Sequence, residues 1–144
     1  MRENPSAEEL EAWIIQLRRE FHRYPELSFG EYKTQKKILK ILGELGIEAR
    51  KIADTGVLAS IRGKLPGPCI ALRSDTDGLQ VQEELIERNS DYISRNDGVM
   101  HACGHDGHMA MGLHGFFRRT GIFQGKFVLS SSLPRKFRQE VQRE

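Results

Sequence analysis

The densest set of reactive side chains in this 144-residue sequence is the segment MHACGHDGH, which holds one cysteine, three histidines and an aspartate in nine residues. Thiolate and neutral imidazole are the ligands that zinc prefers, and carboxylates supplement them. Cys103 and His105 are two residues apart, so an extended or tightly turned segment lets both face one ion. His108 lies three residues further on and can face the same pocket from a helix, while Asp106 can orient a ligating imidazole. The segment therefore predicts a metal site.

Other interpretations of this cluster fit its spacing less well. A structural zinc site pairs two Cys/His doublets, and this sequence has one cluster and no second cysteine pair. A Cys–His nucleophile pair is conceivable, but residues so close in sequence rarely place nucleophile and base correctly. A redox role for Cys103 lacks a partner at motif spacing, because Cys69 lies in an apolar run and is interpreted as a small buried residue. His22 and His114 are interpreted as surface or packing residues.

A pair of acidic residues, Asp75 and Asp77, follows the apolar run Cys69–Leu72. A short continuous apolar run is typical of a strand that is covered on both faces. Ligand sites in open α/β sheets gather at the carboxyl ends of strands, which favours a functional role for the pair. The alternative is a turn in which the two side chains only cap backbone groups.

The elements around these residues follow an α/β pattern. Ser6 and Glu9 have capping-box spacing before an apolar helical stripe that ends at Pro25. The same spacing at Ser28 and Glu31 predicts the start of a second helix. The remaining predictions are a helix stop at Gly46 and strands at 47–52, 57–61 and 69–72. They continue with a polar segment at 83–98 that is irregular or a surface helix, a helix from 106 to near 121, and a strand from 127. Helices followed by alternating strands and helices favour an α/β sandwich.

Composition points to no particular class of macromolecular partner. The apolar fraction is 38%, the charged fraction 29% and the formal net charge +2, so charge alone suggests neither a nucleic-acid nor a membrane partner. No stretch reaches the ~18 apolar residues of a spanning helix. The first residues lack the apolar run of a secretory signal, so we expect a cytoplasmic protein without a structural disulfide.

Three segments, RREFHRYPELSFGEYKTQ, TGVLASIRGKLPGPCIALRSDTDGL and GVMHACGHDGHMAMGLHG, resemble the N-terminal third of the amidohydrolase branch of the zinc-peptidase superfamily. That branch includes hippurate hydrolases, N-acyl-amino-acid amidohydrolases and auxin-conjugate hydrolases, and the resemblance covers Leu10 to Leu129. It implies the N-terminal part of an α/β/α sandwich without the family's second lid or dimerisation domain. It also implies a centre of two divalent ions (zinc, manganese, nickel or cobalt) that cleaves the amide bond of N-acyl amino acids.

The resemblance also implies roles for individual residues. Cys103 and His105 are expected to be metal ligands, and Asp77, with Asp75 close by, is expected to be the catalytic acidic residue beside the metal centre. His108 matches the motif but is not carried over as a ligand. One departure is Gly78-Leu79-Gln80, where the family has Ala-Leu-Pro.

The last fifteen residues, SSSLPRKFRQEVQRE, differ from the family. There the family reads Phe-Gln-Pro-Ala-Glu-Glu, of which the first glutamate is the general base and the second a metal ligand. Codons allowed for residues 130–142, read in triplets that begin one base earlier, restore that run and continue as Ile-Pro-Ala-Gly-Gly-Ala. We therefore expect residues 1–129 to be the N-terminal portion of the catalytic domain and residues 130–144 to be an out-of-frame, disordered tail.

This organisation predicts weak metal binding, no appreciable hydrolysis, and oligomerisation only in the full-length form. The substrate of the parent family is a small N-acyl amino acid. Two alternatives stay open at this point: an aminopeptidase or dipeptidase of the same superfamily, or a non-catalytic metal-binding module.

Overall fold

A computed structural model describes residues 5–61, 70–117 and 125–129, which form three α-helices and one four-stranded sheet. In chain order the elements are α1 (Ala7–Arg23), α2 (Tyr32–Glu44), β1 (Glu48–Ile52), β2 (Gly56–Ile61), β3 (Ile70–Ser74), α3 (His105–Phe117) and β4 (Gly125–Leu129). The sheet order is β1-β2-β4-β3, with β1/β2 and β2/β4 antiparallel and β3/β4 parallel. The parallel pair places the carboxyl ends of β3 and β4 at the same end of the sheet.

The helix ends agree with the sequence at two of three predicted signals. Ser6 and Glu9 form the predicted capping box at the start of α1. Gly46 has φ 66° just after α2, a conformation that glycine adopts at little cost, and it confirms the predicted stop. The predicted capping box at Ser28 is wrong: Glu31 is the N-cap of α2 and makes no side-chain cap. The Ser28 hydroxyl instead donates to Asp77, 49 residues away.

The core lies between the helices and the sheet. Residues from α1, α2, β2 and α3 join in one buried cluster, in which Leu42, Met109 and Leu113 are fully buried. Burying such side chains stabilises the fold by about 1.5–3 kcal/mol each. The cluster holds α3, and therefore the metal-friendly segment at its start, against the sheet. The full cluster is Leu17, Phe21, Ile38, Leu42, Ile47, Val57, Ala59, Met109, Ala110 and Leu113.

The strand before the acidic pair runs two residues past its predicted end, to Ser74. The prediction that this strand is covered on both faces is wrong for the described part of the chain, because Leu72 is 50% exposed. Within the described residues β3 is an edge strand, with β4 on one side only. The predicted α/β class is confirmed, with a partial sheet.

A long connection joins β3 to α3 and is pinned by two isolated bridges, Leu27 to Gly78 and Leu79 to Met100. A Cβ added to Gly78 would lie 2.9 Å from the Pro25 Cβ, so glycine suits this close crossing of two chain segments. In the predicted irregular segment the described structure has one 3₁₀ turn, Glu87–Asn89.

Some predictions fall on residues outside the described ranges. They are the environment of Cys69, the end of the α3 helix near residue 121, and the tail at 130–144. Among the described residues, no helix is long and apolar enough to cross a membrane.

Candidate metal centre

The two sequence motifs meet where β3 ends and α3 begins. Asp75 and Asp77 follow the last residue of β3, and His105 is the first residue of α3. The bridge from Leu79 to Met100 brings the segment before α3 against the segment after β3. The structure thus joins parts of the chain that lie 28 residues apart.

His105 is oriented by Asp77. Its Nδ1 lies 2.9 Å from Asp77 Oδ1 and 3.0 Å from the Asp77 backbone oxygen. Because an ionised carboxylate and a carbonyl only accept hydrogen bonds, Nδ1 carries a proton, and in the neutral ring the lone pair is then on Nε2. This arrangement, in which a carboxylate fixes the tautomer of an imidazole, is typical of histidines that bind metals.

Both carboxylate oxygens of Asp77 are occupied by protein partners. Oδ1 accepts from His105, and Oδ2 accepts from the Ser28 hydroxyl at 2.5 Å. The geometry therefore gives Asp77 an orienting role beside the centre. Sequence reasoning missed Ser28, because its local pattern indicates a helix cap.

Three side chains can offer ligand atoms to one ion. One such atom from each of Asp75, His105 and His108 lies within 4.8 Å of the others, and this is the only set of three or more found in the described part of the chain. The His105 and His108 rings are stacked, with centroids 5.4 Å apart. Arg73 Nη2 lies 2.6 Å from Asp75 Oδ1 and balances its charge, so a cation bound here would displace or share that contact.

Cys103 does not belong to this set. Its thiol is exposed on the turn before α3, where Gly104 has φ 80°. That conformation suits glycine and sets the direction of the chain between the two residues predicted to be ligands. Imidazole nitrogens and a carboxylate are donor types that zinc, manganese, nickel or cobalt accept. The pairing of Cys103 with His105 stays a prediction.

His101 is buried, and burial lowers its pKa to about 4, so its ring is neutral near pH 7. Its Nδ1 donates to the Asp77 backbone oxygen at 3.1 Å, and its Nε2 has no hydrogen-bond partner among the described residues. Two histidines thus converge on the Asp77 carbonyl. His101 supports the loop that carries Asp77 and lies outside the set around His105.

Comparison with known proteins finds peptidases and a deacetylase that are similar to this chain. Residues 71–117 match the model of "Peptidase family M20/M25/M40". Thermostable carboxypeptidase 1 of Saccharolobus solfataricus is 47% identical over 111 residues, which is 76% of this chain and 28% of that protein. An N-acetylcysteine deacetylase of Bacillus subtilis is 48% identical over 99 residues, or 67% of this chain and 25% of that protein.

A solved structure from the same family is also similar to this chain. The YXEP protein of Bacillus subtilis, described as a dinuclear metal binding peptidase from the M20 family, superimposes with a TM-score of 0.75 and 38% identity over 86% of this chain and 35% of that one. The resemblance to this family predicted from the sequence is therefore confirmed, and so is the fold as an incomplete part of its catalytic domain. The chain spans about a quarter to a third of the length of these relatives.

Proposed function

We propose that this chain carries the first part of the metal centre of a hydrolase that cleaves the amide bond of N-acyl amino acids. The observation that carries the proposal is the His105 imidazole, whose Nδ1 is held by Asp77 and whose Nε2 is left for an ion beside Asp75 and His108. An N-acetylcysteine deacetylase and a dinuclear metallopeptidase among its relatives support the substrate class and the use of divalent ions.

The residues that would hold the ion are His105, Asp75 and His108, with Cys103 as the further ligand implied by the resemblance. Bound divalent metal supplies polarisation of the acyl carbonyl and a water of lowered pKa. The chain's own residues hold the site ready. Asp77 fixes the His105 tautomer, and Arg73 neutralises Asp75 before an ion arrives. Each of these residues orients or balances a ligand without itself reacting.

His105→Ala is expected to abolish stoichiometric binding of Zn²⁺ or Co²⁺ to the 144-residue chain. The loss should exceed the roughly 10–100-fold caused by removing a ligand's hydrogen-bond partner, because a ligand itself is gone. Titration calorimetry measures it, and His114→Ala on the same helix is the matched control. Unchanged affinity in His105→Ala would contradict the proposed centre.

A Co²⁺ titration followed by absorption spectroscopy distinguishes a centre that includes Cys103 from one formed by Asp75, His105 and His108 alone. Cobalt bound to a thiolate shows a sulfur charge-transfer band, and Cys103→Ser removes that band if Cys103 is a ligand. Loss of affinity in His108→Ala, with no such band in the original chain, favours the set of Asp75, His105 and His108.

The catalytic part of the proposal concerns residues 130–144. The printed sequence has no Phe-Gln-Pro-Ala-Glu-Glu run, so we propose that this chain lacks the general base and one glutamate ligand and is inactive. A general base contributes about 10²–10⁴-fold to a rate. Reading genomic DNA from codon 120 onwards tests the frame. A restored chain is expected to hydrolyse N-acyl amino acids, and codons that forbid the shifted frame contradict the proposal.

Peptide hydrolysis is the second candidate, because a carboxypeptidase is among the relatives at 47% identity. A panel of N-acyl amino acids and dipeptides, tested on the restored chain, distinguishes the two. Stable folding of the 144 residues with one bound ion, together with a forbidden frame, favours a non-catalytic metal-binding module. The cytoplasmic location and the lack of nucleic-acid and membrane partners stay predictions.

A further inference from the structure

A group of four charged side chains, three of them buried, adjoins the candidate metal centre. We call it the His22 cluster, and it consists of Arg18 and His22 from α1, Glu83 from the long connection, and Asp106 from the first turn of α3. His22, Glu83 and Asp106 are at most 8% exposed. Asp106 Oδ2 lies 2.7 Å from both His22 Nδ1 and Arg18 Nε, and Glu83 Oε1 lies 3.0 Å from His22 Nε2.

The partners of His22 fix its protonation state. Each ring nitrogen faces a carboxylate oxygen, and an ionised carboxylate only accepts hydrogen bonds. A neutral imidazole has one N–H and would turn a lone pair toward one of the two carboxylates, so His22 is an imidazolium. Arg18 Nη2 lies 3.3 Å from His22 Nδ1, but both are then donors, and the two cations share Asp106. The positive charges of Arg18 and His22 thus balance the negative charges of Glu83 and Asp106.

The surroundings favour the same state. The hydrogen bond to Asp106 raises the pKa of His22, against burial, and Glu83 raises it further. Burial acts to raise the pKa of Asp106 and of Glu83, but hydrogen bonds outweigh it and both are lowered. The other groups that face the ring are Tyr92, edge-on at 5.5 Å, and the neutral His101 at 6.4 Å between centroids.

The cluster acts on the metal centre through Asp106. This residue follows His105 directly, and its Oδ1 also accepts from the Gly107 N–H. Successive residues of a helix point about 100° apart, so holding Asp106 in place restricts the direction in which the neighbouring His105 leaves the helix. Glu83 connects His22 to the long connection, since it also accepts hydrogen bonds from the Ser94 N–H and from the Asn89 side-chain amide. Two distant parts of the chain therefore hold the first turn of α3.

We propose that His22 is a positioning residue of the candidate metal centre: its imidazolium, bound between Glu83 and Asp106, holds the first turn of α3 so that His105 stays against Asp77. The part of this proposal that concerns metal rests on the proposed function. The part that concerns the rings of His22 and His105 does not.

Nitrogen-15 NMR of the histidine rings in the metal-free 144-residue chain tests the part of the proposal that concerns His22 and His105. We expect both His22 nitrogens to be protonated at pH 6, and the His105 Nδ1–H to show the shift of a proton shared with a carboxylate. His22→Gln should move the His105 signal, while His114→Gln should not. A singly protonated His22 ring, or an unmoved His105 signal, overturns the proposal.

Metal titration tests the part of the proposal that concerns metal binding. We expect His22→Gln to weaken Co²⁺ binding about tenfold, at the low end of the effect of a ligand's supporting residues, with His114→Gln unchanged. If the variant does not fold, the double variant His22→Gln/Glu83→Gln removes one charge of each sign and is measured instead. Equal affinity in the folded variant and the original chain overturns the proposal. Failure of the original chain to bind metal counts against the proposed function, and the ring signals then decide on His22.

Discussion

Asp106→Asn is expected to lower the free energy of unfolding by about 3 kcal/mol near pH 6, the lower end of the cost of removing one partner from a buried ion pair. The carboxylate is 1% exposed and accepts from His22 and Arg18 at 2.7 Å each. Asparagine keeps the shape but leaves two cations against a neutral amide. Arg18 is 36% exposed and reaches water, so the cost comes mainly from the imidazolium.

The size of this effect should depend on pH in a specific way. The pKa of His22 is raised above 6.5 in the folded chain, so its contribution is complete below 6.5 and is lost as pH rises through the folded value. The pKa of Asp106 is lowered below 3.8, so its contribution is complete above 3.8 and is lost as pH falls through the folded value. The destabilisation caused by Asp106→Asn should therefore be largest between these limits.

Urea unfolding from pH 4 to pH 9 measures this difference, and the matched control is Asp97→Asn, which changes an exposed carboxylate in the connection before α3. Surface substitutions of this kind usually change stability by less than about 0.5 kcal/mol. If Asp106→Asn were as harmless as Asp97→Asn at pH 6, Asp106 would not be part of a charged cluster.

Local patterns predicted most of the elements and the segments that form the site. The apolar stripe after Ser6 and the stop at Gly46 depend only on neighbours in sequence, and both are observed. The apolar run and the acidic pair behind it located β3, although the strand ends two residues later than predicted. The dense Cys/His segment located the start of α3, which begins at His105, one residue before the predicted start.

Long-range partners explain what local patterns missed. Ser28 has the spacing of a helix cap, but its hydroxyl donates a hydrogen bond to Asp77, 49 residues away in the sequence. His22 has no nearby acidic partner in sequence, since Asp106 and Glu83 lie 84 and 61 residues from it. The apolar run predicts a covered Leu72, because strands with this pattern are buried when elements cover both faces of the sheet. Among the described residues Leu72 is half exposed.

Asp77→Ala is expected to weaken binding of Zn²⁺ or Co²⁺ to the 144-residue chain by about 10–100-fold, with little change in the number of sites. Without the carboxylate, the His105 ring can rotate and can place its proton on either nitrogen, so only a fraction of molecules presents the Nε2 lone pair. Asp77→Asn should cost less, because its amide oxygen can still accept from Nδ1. The order of affinities is therefore the original chain, then asparagine, then alanine.

Competition with a chelating indicator measures these affinities, and circular dichroism verifies that each variant is folded. Asp91→Ala, which removes an exposed carboxylate, is the matched control and should bind like the original chain. The two replacements distinguish orientation from charge: asparagine and alanine remove the same charge, but only asparagine keeps a side-chain acceptor for His105. If both weaken binding equally, Asp77 acts through its charge on the bound ion. If alanine leaves affinity unchanged, the carboxylate does not orient His105, and the tautomer must be set by the Asp77 backbone oxygen, which lies at nearly the same distance from Nδ1.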